Sequence, residues 1–210
     1  MNNSILNKRF KYSYKNATLD LVVINVIVYM IINTVWPNGV YYLSMIPGFI
    51  MHGYVYQFIT YMFVHGSFSH LLFNMLSLYI FGQALEKRIG TKEFLLFYFS
   101  VGILAGIASF AFYYFAGQNA VLLGASGAIY GLLLLFAVFF PFARIYVFGL
   151  LPVKAPFLIL GYFLIEVFSQ VSGVNGGVAH LTHLSGLAFG YLYCLLRMKL
   201  NPIEVWRRTL

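Results

Sequence analysis

Gly124-Ala125-Ser126-Gly127-Ala128-Ile129-Tyr130-Gly131 sets one hydroxyl between two glycines at the head of a long apolar run. The residues that follow, Leu132 to Phe140, carry no charge and predict a helix with apolar surroundings on every side. Gly127 and Gly131 are four apart and share a helix face on which a second backbone can come close. A matching pair, Gly186 and Gly190, lies on a later apolar run just after His183. Helices packed through these two faces would present Ser126 to His183. A hydroxyl beside an imidazole is a candidate nucleophile beside a candidate base.

The rest of the chain says where such a pair would sit. Its 210 residues are 61% hydrophobic and 9% charged, with a mean hydropathy of +0.84. A water-soluble domain of this length cannot hide that much apolar surface, so lipid is the solvent for most of it. No Lys, Arg, Asp or Glu occurs from Leu21 to Leu85 or from Phe94 to Ala143. The single cysteine, Cys194, excludes an intramolecular disulfide and any cysteine-based metal site. The net charge of +8 is confined to the ends of apolar runs, which argues for a membrane flank and against nucleic acid. Lys8, Arg9, Lys11 and Lys15 precede a full-length apolar span, not a short cleavable signal.

Taken in order, the chain predicts an all-α membrane protein of six spans. A polar tail covers residues 1–18, the membrane domain residues 19–198, and a second tail residues 199–210. The spans are expected at Leu19–Val35, His70–Leu85, Phe94–Phe115, Ser126 to about Pro141, Phe157–Phe168 and Ala179–Leu196. Between the first two, Pro37, Gly39, Pro47, Gly48, Gly53 and Gly66 break an uncharged stretch. That stretch reads as a long first loop of short helices lying in the outer interface. Gln170–Val178 reads as a glycine-rich loop before the sixth span. Six spans place all 13 Lys and Arg on the side of both termini. The positive-inside rule makes that side the cytoplasm, in a cell (inner) membrane.

Helix rise converts sequence distance into depth. Ser126 lies 18 residues before Arg144, His70 lies 17 before Lys87, and His183 lies 14 before Arg197. At 1.5 Å per residue these are heights of about 27, 26 and 21 Å, within the outer half of a hydrocarbon core about 30 Å thick. His70 and Asn74 share a helix face and can donate hydrogen bonds to a developing oxyanion. Tyr130, one turn below Ser126, is placed to pack on the His183 ring. No Asp or Glu is near His183 in sequence, so a Ser–His dyad is expected. Glu166, on the fifth span, could reach the interface, meet His180 or line a substrate gate. His65 and Glu86 read as structural ties within loops.

Together these segments resemble the rhomboid family of intramembrane serine proteases. His65-Gly-Ser-Phe-Ser-His70-Leu-Leu-Phe-Asn74 is similar to the family's His-x4-His-x3-Asn motif. Gly124-Ala-Ser126-Gly127 resembles Gly-x-Ser-Gly, with Tyr130 four residues on. Glu86-Lys87-Arg88-Ile89-Gly90 resembles Glu-x-Arg-x-Gly, and His183 to Gly190 fits His-x-x-Gly-x-x-x-Gly. One departure is Tyr56-Gln57, where members often carry Trp-Arg. The resemblance implies a six-span bundle with Ser126 as nucleophile and His183 as general base. It gives His70 and Asn74 to an oxyanion hole and makes Tyr130 a support for His183, with no cofactor and no metal. His183 is preferred to His180 as the base because of its spacing to Gly186. Implied partners are transmembrane protein substrates and membrane lipid, with substrate passing the fifth span under a mobile Gln170–Val178 cap. A rhomboid-like protein that binds membrane proteins without cutting them is the alternative, and a metal-handling transporter is a remoter one.

Overall fold

The computed structural model describes residues 10–147, 149–172 and 180–209. It is mostly helical, and four helical stretches are long and apolar enough to cross a membrane: Ala17–Thr34, Phe68–Ile89, Thr91–Phe115 and Ala155–Ser172. The first of these is α1 (Ala17–Thr34). Its N-terminus is capped by a distant carboxylate. Glu86 accepts the N–H groups of Ala17 and Thr18 at 2.8 and 2.9 Å and the hydroxyls of Thr18 and Thr91 at 2.7 and 2.6 Å. A buried anion at the positive end of a helix satisfies donors that the helix itself leaves free.

Between α1 and the next long helix the chain makes α2 (Gly39–Leu43), α3 (Pro47–Met51), α4 (Gln57–Thr60) and a 3-10 turn at Tyr61–Phe63. Gln57 ties this segment together and is fully buried. Its amide donates to the Tyr41 and Tyr42 carbonyls at 3.1 and 3.0 Å, and its oxygen accepts the Ile46 N–H at 3.0 Å. The Tyr56-Gln57 departure therefore keeps a loop-fastening polar group. Tyr61 then fixes the segment to the bundle, its hydroxyl donating to the Gly102 carbonyl at 2.6 Å.

The helix α5 (Phe68–Ser77) starts at Ser67, whose hydroxyl accepts the His70 N–H at 3.1 Å as an N-cap should. It continues through a π-helical turn, Leu78–Gly82, into α6 (Gln83–Ile89). Next come α7 (Thr91–Phe115) and α8 (Ser126–Phe139). Ten of the fourteen residues of α8 are buried, so this shorter helix is the core of the bundle. α9 (Ala155–Ser172), α10 (His180–Tyr193) with a π turn to Met198, and α11 (Pro202–Thr209) complete the order. α8 packs against α7, α9 and α10. α11 folds back beneath it, and Trp206 Nε1 donates to the Ala137 carbonyl at 2.9 Å.

Two features differ from expectation. The mostly helical fold also carries a hairpin that the all-α expectation lacks: β1 (Arg144–Val147) and β2 (Leu151–Lys154) pair antiparallel, with Arg144 opposite Lys154 and Val147 opposite Leu151. Ile145, Val147 and Val153 favour extended backbone, and Pro152 is tolerated because a two-stranded ribbon has only edges. The fifth helix is also longer than expected at both ends, so Gln170 to Ser172 are helical and not loop. The remainder of the expected cap, with Gly173, Gly176 and Gly177, lies outside the described residues, as does Ala179.

Candidate active site

Ser126 is the first residue of α8, so its backbone N–H is among those left free at a helix start. Backbone and space both demand glycine just before it. Gly124 has φ +116°, and a Cβ there would come within 2.8 Å of the His70 ring. Its N–H donates to the Tyr61 carbonyl at 2.9 Å, which anchors the approach to Ser126 on the first loop.

The glycine faces of α8 and α10 meet. A Cβ on Gly186 would lie 2.0 Å from the Gly127 carbonyl oxygen, and one on Gly190 would lie 3.0 Å from Gly131 Cα. Backbones this close bring a serine on one helix within reach of a histidine on the other. His183 Nε2 is 2.8 Å from Ser126 Oγ. Tyr130 stacks on the His183 ring, with centroids 4.2 Å apart and planes 8° from parallel.

The structure does not leave these two residues as a bare dyad. Glu166, buried on α9, lies with Oε1 2.9 Å from His183 Nδ1 and with Oε2 2.6 Å from His180 Nδ1. The Tyr130 hydroxyl donates to the same Oε1. Glu166 thus turns inward, and of its three sequence readings the meeting with His180 is realised together with a contact to His183. His180 stands on the far side of the carboxylate, its ring perpendicular to that of His183. This carboxylate reaches His183 across helices: α9 and α10 bring together residues 17 apart, beyond the local spacing from which a Ser–His dyad is expected.

His70 and Asn74 face the same cavity, a space of about 670 Å³ lined also by Ser126, Tyr130, Tyr162 and His183. One Asn74 N–H is used on the His70 carbonyl at 2.9 Å, which leaves its second for the cavity. His65 packs edge-on to His70 with ring centroids 5.0 Å apart. Among the described residues, Glu166, His180 and His183 also offer three potential metal ligands within 4.8 Å of one another. A metal on His183 Nδ1 would put the remaining ring proton on Nε2, facing Ser126. Metal binding and base function therefore exclude each other at this ring.

An apolar multi-pass bundle that sets a serine and a histidine at the wall of one cavity, with a carboxylate buried behind the histidine, defines a class: membrane proteins with a serine-hydrolase constellation. A rhomboid domain profile matches residues 52–200. YdcA of Bacillus subtilis (strain 168), which carries a rhomboid protease name, is 34% identical over 149 residues, covering 70% of this chain and 69% of that protein. Rhomboid-like protein 11, chloroplastic, of Arabidopsis thaliana is 31% identical over 160 residues, 69% of this chain and 53% of its own length. Rhomboid protein 1, mitochondrial, of Saccharomyces cerevisiae is 34% identical over 137 residues, 62% and 38% of the two lengths. The chain spans about half or less of these last two relatives. It belongs to the rhomboid family.

Proposed function

We propose that this protein is an intramembrane serine endopeptidase that cuts transmembrane segments of membrane proteins near the outer leaflet. The observation that carries the reading is the 2.8 Å contact of Ser126 Oγ with His183 Nε2 at the wall of a cavity. In this mechanism Nε2 takes the hydroxyl proton as Oγ bonds to the scissile carbonyl carbon. The oxyanion is met by the Ser126 N–H, His70 and Asn74, a stabilisation worth about 3 kcal/mol per donor in enzymes of this kind. The imidazolium gives its proton to the leaving amine as the C–N bond breaks. Water then releases the ester by the same steps, with His183 again as base.

A helix hides its own carbonyls, so the substrate must be locally extended at the bond that is cut. The six-span arrangement, the residue 19–198 protease domain between tails 1–18 and 199–210, and an inner-membrane location with both termini cytoplasmic belong to the same proposal. They rest on the charge distribution of the sequence.

The test is a cleavage assay in liposomes with a panel of single-span substrates. Wild type is expected to cut at least one, while Ser126→Ala and His183→Ala lose turnover by about 10³-fold or more. Cleavage that survives Ser126→Ala would remove the serine mechanism.

A further inference from the structure

We propose that Glu166 is the positioning residue of the base: it holds the His183 Nδ1–H so that the Nε2 lone pair faces Ser126 Oγ. This inference rests on the protease reading above and adds to it a group that the Ser–His pair alone does not contain.

Three donors converge on this one buried carboxylate. His183 Nδ1 and the Tyr130 hydroxyl share Oε1, and His180 Nδ1 takes Oε2. The stack of Tyr130 on His183 fixes the plane of the imidazole. A plane alone does not orient the ring, because a half-turn about Cβ–Cγ returns the same plane with Nδ1 and Cδ2 exchanged. A partner that tells nitrogen from carbon removes that ambiguity: Ser126 Oγ does so at Nε2 but gives up its proton in the reaction, and Glu166 Oε1 at Nδ1 is the one outside the reacting pair. The carboxylate also selects the tautomer. An unprotonated Nδ1 would set two acceptors face to face at 2.9 Å, so the ring proton stays on Nδ1 and Nε2 is left free to accept. When Nε2 takes the serine proton, the imidazolium forms beside an anion already in place.

Glu166 comes from α9 and is the one Asp, Glu, Lys or Arg in that helix. The nucleophile comes from α8 and the base from α10. The base is therefore aligned only while α9 is docked against the other two. His180, bound to the opposite oxygen, braces the carboxylate and does not reach Ser126.

The full chain in detergent, as wild type, Glu166→Gln, Glu166→Asp, His180→Gln and Ser126→Ala, tests this. Three quantities are read: kcat and KM on a single-span substrate, the rate of Ser126 labelling by a fluorophosphonate, and the melting temperature. In Glu166→Gln the new amide can donate to Nδ1 and so favour the wrong tautomer. Its kcat is expected to fall about 100-fold or more with KM within about threefold, and labelling is expected to slow in step. His180→Gln is expected to lower the melting temperature as much while losing less than about tenfold in kcat. Glu166→Asp keeps the charge on a shorter arm and should retain more activity than Glu166→Gln.

Turnover of Glu166→Gln within about threefold of wild type overturns the proposal. So does a loss that tracks melting temperature equally in Glu166→Gln and His180→Gln, or a Glu166→Asp variant less active than Glu166→Gln. If wild type cuts nothing that Ser126→Ala spares, the protease reading fails. The labelling comparison then still decides whether Glu166 orients His183.

Discussion

His65 sits 3% exposed just before α5, and neither ring nitrogen has a side-chain hydrogen bond among the described residues. Burial, reinforced by the neighbouring His70, pulls its pKa down from 6.5 to about 4. A depressed histidine is protonated first in the unfolded chain, so this site contributes stability in full above about pH 6.5 and loses it as pH falls toward 4. Below that both states carry the proton and the slope ends. The span corresponds to about 3 kcal/mol at about 1.36 kcal/mol per pKa unit. Melting temperatures in detergent from about pH 7 to about pH 4 should show a fall that His65→Gln flattens; an unchanged slope in the variant refutes it. Single residues differ in how far sequence reveals them. Gly124-Ala-Ser126-Gly127 and His183 to Gly190 were legible because each motif is local and its glycines state a packing demand. Glu166 was visible only as an odd charge in an apolar run, since nothing along the chain says which way a helix faces. His180, one turn from His183, was the signal that a second imidazole faced the same acid.

At the scale of elements, the contact of α8 with α10 has no slack. Gly186→Ala would place a methyl 2.0 Å from the Gly127 carbonyl oxygen, so the helices must part by an ångström or more. Overpacking of this kind costs about 1–3 kcal/mol, and a displacement of about 1 Å can cost about 10²-fold in rate. Gly186→Ala is expected to lower the melting temperature and to slow Ser126 labelling by about that factor. Labelling at the wild-type rate would mean that the two helices do not set the Ser126–His183 distance. The four-residue glycine spacings made this pairing readable in advance. The β1–β2 hairpin was not, because four-residue strands inside an apolar chain carry too little alternation to stand out. Gln57 was flagged as a departure, yet the carbonyls it holds lie 15 and 16 residues away, beyond any local pattern.

For the whole molecule, one wiring scheme ties the charges to the site. If both termini are cytoplasmic, the hairpin between α8 and α9 is cytoplasmic as well, and the short helices after α1 face outward with the mouth of the cavity. The protein has one cysteine, Cys194, and it is fully buried, so it gives little background to thiol labelling. His52, exposed at the end of α3, and Leu150, 79% exposed at the hairpin tip, lie on opposite sides in this scheme. A membrane-impermeant maleimide added to intact cells should label His52→Cys and leave Leu150→Cys unmodified until the cells are permeabilised. Both variants change exposed side chains, so both should still cut substrate. The reverse pattern would put the Lys and Arg clusters outside and the serine near the inner leaflet, against the positive-inside rule. Equal labelling before and after permeabilisation at both positions would break the six-span count, because an odd number of crossings between them is what separates the two sites.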